Sequence, residues 1–312
     1  MFYLISALYL GWSLGANDAA NIFGTAVSSR MVKFLTAAIL SSIFVILGSI
    51  LEGKTGIETI GKLSVMNLTT AGISSLSAAI AVTIMTILKL PVSTSQAVVG
   101  SIIGIGVMQK HIALIGLYKI IICWIGTPIG ACILSIILYV ILARVANRIR
   151  LSWTGFDFMM RAGLIITGCY GAYALGANNV ANVTAVFYGA GFLSVQAAAL
   201  IGGTSIALGI LTFSKGVMQT VGKGIVKLDA FSALIVVFSN AITVHTYAII
   251  GVPVSTSQAV VGAVLGIGLL KRAEALKKRS ILGVFSGWIA TPFIASICSI
   301  LLYFITHLKY IG

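Results

Sequence analysis

The decapeptide PVSTSQAVVG occurs twice without a change, at Pro91–Gly100 and at Pro253–Gly262. Its polar residues are Ser93, Thr94, Ser95 and Gln96 in the first copy and Ser255, Thr256, Ser257 and Gln258 in the second. Polar runs in an apolar chain are costly unless something uses them. Helix packing alone asks only for apolar residues of about the right size, so it does not explain identity over such a length. Proline followed by Ser and Thr has the grammar of a helix start, where the proline fixes φ and the hydroxyls cap the first turn. Such a start presents free N–H groups and the positive end of the helix dipole, which suits an anion. With no Arg or Lys in either copy, the anion would be held by dipoles, hydroxyls and amides, a grip weak enough to release.

A second polar pair has different chemistry. GANDAAN at Gly15–Asn21 carries Asn17, Asp18 and Asn21, and GANNVAN at Gly176–Asn182 carries Asn178, Asn179 and Asn182. Asn17 and Asn21 are four apart and share a helical face. Asp18 is the clearest carboxylate inside an apolar segment, where an ionisable residue marks function by default. Beside an anion it makes sense with a cation between them, or protonated. Side-chain and backbone oxygens at an unwound turn suit a hard cation such as Na⁺. Asn179 stands in the place of Asp18, so one copy offers a charge and the other an amide.

These motifs sit in a chain of 312 residues that is 59% hydrophobic and 8% charged, with mean hydropathy +1.12. A soluble domain carries about 25% charged residues. Several apolar runs approach the roughly 20 residues that cross a bilayer, which makes this an all-α polytopic membrane protein. The net charge of +14 does not mark a nucleic-acid binder, because the basic residues lie at the ends of apolar runs. The four cysteines (Cys123, Cys132, Cys169, Cys298) lie within apolar stretches and form no CxxC pair, which points to packing and not to a disulfide or metal site. The N-terminus lacks a basic stretch and does not read as a cleaved signal peptide.

Apolar segments fall at Phe2–Val27, Phe34–Leu51, Ala71–Leu88, Val92–Met108 and Ile112–Ala143, then at Leu164–Val186, Leu193–Leu211, Ala230–Ile250, Pro253–Leu270 and Ile281–Ile305. GANDAAN interrupts the first and predicts a broken membrane helix there. Pro128 predicts a kink or a break in the fifth. The landmarks Gly15, Pro91 and Pro128 recur as Gly176, Pro253 and Pro292, at offsets of 161, 162 and 164 positions. The chain is therefore a repeat of half-proteins: residues 1–143, a basic cytoplasmic linker at 144–161, and residues 162–312.

Five crossings per half, an odd number, invert the second half relative to the first. Fifteen of the twenty Lys and Arg then face one side, leaving Lys54, Lys62, Lys110, Lys119 and Lys309 on the other. The positive-inside rule places both termini outside. Two inverted-topology repeats with broken helices or half-helices at the midplane are the signature of secondary transporters.

Other residues carry less. His245 lies in an apolar segment and is able to relay protons, although a His bonded across helices is the commoner case. Gly56–Leu63 imitates a phosphate loop but has Leu63 where Ser or Thr must bind Mg²⁺. Glu52, Glu58 and Asp229 read as interfacial. No nucleophile–base pair or metal set appears, so an enzyme is not expected.

GANDAAN and GANNVAN resemble the paired signature of the inorganic phosphate transporter (PiT) family, and the duplicated PVSTSQ resembles that family's second paired motif. The likeness spans both halves and nearly the whole chain. It implies cation-coupled uptake of inorganic phosphate, by Na⁺ or H⁺, across the cell membrane through an inverted-repeat fold with no other cofactor. By position it implies phosphate contacts from Ser93, Thr94, Ser95, Gln96, Ser255, Thr256, Ser257 and Gln258, bordered by Asp18. It assigns the coupling cation to Asp18 with Asn17, Asn21, Asn178, Asn179 and Asn182. Asn179 replaces an aspartate that many members carry, and the long central loop of larger members is absent. The expected partners are phosphate, the cation and the lipid bilayer, with room for a homo-oligomer. The alternatives are a symporter for sulfate or another tetrahedral oxyanion and, further off, an anion channel.

Overall fold

A computed structural model describes residues 3–87, 92–148, 152–224, 228–271 and 278–308. Pro91 and parts of the expected linker, residues 149–151, lie outside the described residues. The described residues form helices and no strands. Among the described residues, seven helices are long and apolar enough to cross a membrane.

The first half comprises α1 (Leu4–Asp18), α2 (Ala20–Ser28), α3 (Phe34–Glu52), α4 (Lys54–Gly61), α5 (Leu68–Ile87), α6 (Thr94–Met108) and α7 (Leu114–Arg148). The second comprises α8 (Trp153–Gly189), α9 (Val195–Gly224), α10 (Ala230–Ile250), α11 (Thr256–Leu270) and α12 (Lys278–Leu308). The offset of about 161 maps α1–α2 onto the later part of α8, α3–α4 onto α9, α5 onto α10, α6 onto α11 and α7 onto α12.

The broken helix expected at GANDAAN is a single-residue interruption at Ala19, whose backbone stays in the right-handed helical region. GANNVAN runs unbroken inside α8. The Pro128 kink or break is absent as a break: α7 is continuous over 35 residues. Thr127 donates to the Cys123 carbonyl at 2.6 Å, and Thr291, beside Pro292 in α12, donates to the Gly287 carbonyl at 2.6 Å.

The halves exchange helices. α6 packs on α12 and α11 on α7, while α1 packs on α9 and α3 on α8. The exchange is symmetric at the level of single residues. Gly15 sits against the Ile206 carbonyl as Gly176 sits against that of Val45, and Gly100 faces the Pro292 carbonyl as Gly262 faces that of Pro128. At each place a Cβ would collide with backbone, so these glycines set how closely the helices approach.

Each half also contains a hairpin whose tip carries the VSTSQ residues, Val92–Gln96 and Val254–Gln258. At the base of α5–α6, the Ala113 N–H donates to the Leu63 carbonyl at 3.0 Å and Ser64 Oγ to the His111 carbonyl at 3.2 Å. At the base of α10–α11, the Lys271 ammonium pairs with the Asp229 carboxylate. α6 and α11 are only 15 residues long, too short for a full crossing of about 20. They are the half-helices of an inverted-repeat membrane fold.

Candidate functional site

The two hairpin tips meet. Ser95 Oγ, at the start of α6, donates to the Val254 carbonyl just before α11 at 2.9 Å. Ser93 and Ser255 cap the two short helices identically, each accepting from the backbone N–H three residues on (Gln96, Gln258) at 3.3 Å. Two helix N-termini with their positive dipole ends thus face a common centre.

The Asn/Asp motifs close around these tips, each reaching into the opposite half. Asn21 Nδ2 on α2 donates to Ser257 Oγ at 3.1 Å and to Thr256 Oγ1 at 3.4 Å. Asn182 Nδ2 on α8 makes the equivalent bond to Ser95 Oγ at 2.9 Å. Within each motif the same pattern repeats. Asn17 and Asn21 donate to Asp18 Oδ1 at 3.3 and 3.5 Å, as Asn178 and Asn182 donate to Asn179 Oδ1 at 3.1 and 2.8 Å. The structure therefore brings all fourteen sequence-selected residues into one cluster shared by α1, α2, α6, α8 and α11, or into the caps that begin those short helices.

The centre is buried but not saturated. Asp18 is 4% exposed and Asn179 1%. Thr94 Oγ1, Gln96 Oε1, Gln258 Oε1, Asn179 Nδ2 and Asn182 Oδ1 are buried without a protein partner among the described residues. Buried polar atoms are nearly always satisfied, so a cluster of unpaired ones calls for a ligand. The set mixes one carboxylate, amide and hydroxyl oxygens with amide and backbone N–H donors. The oxygens fit a hard monovalent cation and the donors fit an oxyanion.

One contact of the site was not legible in the residues. Asn178 holds Val254 from both sides, donating to its carbonyl at 2.8 Å and accepting from its N–H at 3.1 Å. A backbone partner leaves no mark on side-chain pattern.

Glu52 is the last residue of α3 and of the candidate membrane span Phe34–Glu52, at a segment end as expected. α4 continues beyond it along α8, with Gly53 against Val180, Gly56 against Ala181 and Gly61 against Tyr188. His245 is bonded across helices, to Glu52 on α3 and Tyr170 on α8.

The family model described as "Phosphate transporter family" matches residues 14–156 and again 152–299. A protein called a phosphate permease in Methanocaldococcus jannaschii is 32% identical over 94% of this chain and 93% of its own length. The sulfate permease CysP of Bacillus subtilis is 28% identical over 96% of this chain and 86% of its own. A solved structure, a sodium-dependent phosphate transporter, superposes with a TM-score of 0.85 at 23% identity, covering 99% of this chain and 100% of that one.

Proposed function

The chain belongs to the phosphate transporter family, and on that premise we propose that it moves inorganic phosphate across the cell membrane together with Na⁺. The observation that carries this is the meeting of two capped helix N-termini, through Ser95 and Val254, beside the buried Asp18. Phosphate sits between the tips, taking hydrogen bonds from the first-turn N–H groups, from Ser93–Gln96 and Ser255–Gln258, and from Asn179 Nδ2. Na⁺ sits at Asp18 with oxygens of Asn17, Asn21 and Thr256. Asn178, Asn179 and Asn182 complete the shell on the other side. The cation lets the carboxylate and the anion lie close without repulsion.

Both substrates are small, and the site lies between interlocked halves, as alternating access requires. The reading is of a transporter and not of an enzyme or a channel. Its termini face outward, following the distribution of basic residues.

Asp18 also favours phosphate over sulfate. Phosphate at neutral pH retains an O–H that a carboxylate can accept, and sulfate has none. The test is uptake of labelled phosphate by proteoliposomes, with Na⁺ and pH gradients imposed separately and with sulfate as competitor. Phosphate accumulation driven by Na⁺ and indifferent to excess sulfate is expected. Strong sulfate inhibition sinks the choice of anion, and uptake that ignores every cation gradient points to a channel.

A further inference from the structure

Outside the phosphate site, the helices hold a further set of ionisable groups that the transport reading does not use. His245 Nε2 on α10 meets Glu52 Oε2 at the end of α3 at 2.6 Å. The other ring nitrogen, Nδ1, shares a hydrogen bond of 2.8 Å with the Tyr170 hydroxyl on α8. Tyr173, one turn along α8, hydrogen-bonds Glu52. Both tyrosine rings stand edge-on to the imidazole, with centroids 5.4 and 5.6 Å away. The side chains of His245 and Glu52 are 18% and 36% exposed.

The inverted repeat supplies an internal control for what this place needs in order to fold. The positions equivalent to Glu52, His245, Tyr170 and Tyr173 are Phe213, Thr83, Tyr9 and Trp12. There Tyr9 and Thr83 share a hydrogen bond of 3.0 Å, and Trp12 lies against Phe213 with ring centroids 5.3 Å apart. The same helix junction is thus built once from neutral groups and once around an acid–imidazole pair. Packing does not demand the pair. A pair of ionisable side chains joined across membrane helices, with the imidazole largely buried, marks a functional site by default.

We propose that Glu52 and His245 form a proton-binding site of this transporter, distinct from the Asp18 cation site and linked to the second hairpin tip. This rests on the phosphate-transport reading. The chemistry is reversible protonation with no other reactant. With Glu52 ionised, Nε2 carries the hydrogen directed at it and Nδ1 accepts from the Tyr170 O–H. A proton arriving at Nδ1 turns that contact round: Nδ1 donates and the Tyr170 oxygen accepts. A hydroxyl serves as either donor or acceptor, so both states are satisfied without moving a helix. The pair goes from one net negative charge to none, which matters most where water is scarce.

The consequence is carried along α10. His245 lies just ahead of the segment Gly251–Ser255, whose Val254 is held by Asn178 and Ser95. Thr55, three residues past Glu52, donates to the Ala248 carbonyl at 3.0 Å. A change in the pull of Glu52 on His245 therefore acts on the stretch that presents Ser255 and α11 to the site. Other charged groups near this end are spoken for. On α4, Lys54 and Glu58 pair at 3.9 Å, and on α7, Lys119 donates to the Ile250 carbonyl at 3.3 Å. Neither α2 nor α11, which also pack on α10, carries an ionisable side chain.

The test uses the full chain in proteoliposomes with an entrapped pH dye, a fixed Na⁺ gradient and labelled phosphate. Protons and phosphate entering are counted together. Three proteins are compared: wild type, His245→Gln, and Glu52→Phe with His245→Thr, which installs the residues of the equivalent place in the other half. Phosphate's own proton enters in every case, so the difference between proteins reports the pair. Loss of about one proton per phosphate is expected in both variants, since each removes the one imidazole that accepts it. Thr83→Val, at the neutral counterpart, leaves the ratio unchanged. Na⁺-driven phosphate uptake with the same proton ratio in all proteins overturns the proton site alone. Absence of phosphate uptake by the wild type overturns the transport reading, and this inference with it.

Discussion

The two halves of this protein build the same site twice and finish it differently. On one side Asn178 and Asn182 are buried, Asn178 grips Val254 by both backbone groups, and Ser95 closes on the same carbonyl. On the other, the equivalents Asn17, Asn21 and Ser257 are only half-buried. One side is locked by uncharged hydrogen bonds. The other is looser and carries the carboxylate. The duplicated geometry thus supplies the cage, and the departures from duplication supply direction and charge.

Making the halves more alike breaks this arrangement most severely. Asn179→Asp puts a second carboxylate into the locked side, where it has no cation of its own. In Na⁺-free buffer it should lose about 3–5 kcal/mol of stability, the usual cost of an uncompensated buried charge. Added Na⁺ should restore much of that loss, and a melting temperature indifferent to Na⁺ would contradict the cation role given to this position. The reverse change, Asp18→Asn, leaves both motifs neutral. It removes the charge-assisted hydrogen bonds, so Na⁺-driven uptake should fall by about ten- to a hundredfold while the protein still elutes as a folded species. Undiminished coupled uptake in that variant would remove Asp18 from the mechanism.

Smaller changes sharpen the contrast between locked and loose sides. Ser95→Ala leaves Asn182 and the Val254 carbonyl short of a partner in a buried place and should cost about 1–3 kcal/mol. Ser257→Ala, at the half-buried counterpart, should cost no more than about 1 kcal/mol, because water can replace the lost group. Equal losses in chemical denaturation would mean that the two sides are not distinct.

The smallest effect concerns the hairpin bases. Asn67 caps α5, accepting from the Thr70 N–H at 2.9 Å, and the equivalent Asp229 caps α10, accepting from the Ser232 N–H at 2.9 Å. Burial pushes the Asp229 carboxyl up, but Lys271 and the Ser232 hydrogen bonds outweigh it and hold the group below the usual carboxylate range. A carboxyl lowered on folding stabilises above its unfolded pKa, and that contribution is lost as pH falls through the folded value. Acidification below the ordinary carboxylate range should therefore destabilise the wild type more than Asp229→Asn, by about 1 kcal/mol or less for a partly exposed pair. Parallel pH–melting curves for the two proteins would refute this.

Much of the site was visible in the residues because its parts are local. PVSTSQ, GANDAAN and GANNVAN each carry their chemistry within one or two helical turns, and duplication at a constant offset exposed both the repeat and the inequality of Asp18 and Asn179. What was hidden depends on helices distant in sequence. The pairing of Glu52 with His245 joins α3 to α10 across most of the chain, and no local pattern announces it. The exchange of α6 and α11 between halves left no trace either, since Gly100 and Gly262 read as ordinary small residues until a foreign carbonyl lies against them. At Pro128 the residue pattern left a kink and a break both open, and α7 runs on without a break.

The exchange of short helices has a consequence for biosynthesis. α6, which begins with the first PVSTSQ copy's Thr94, has α5 beside it early but meets its most extensive packing partner in α12, the last of the described helices in chain order. Until then the first hairpin waits in the bilayer with one flank uncovered. A nascent chain halted anywhere before α12 should therefore present that flank to lipid or to quality-control proteases, however complete its earlier helices are.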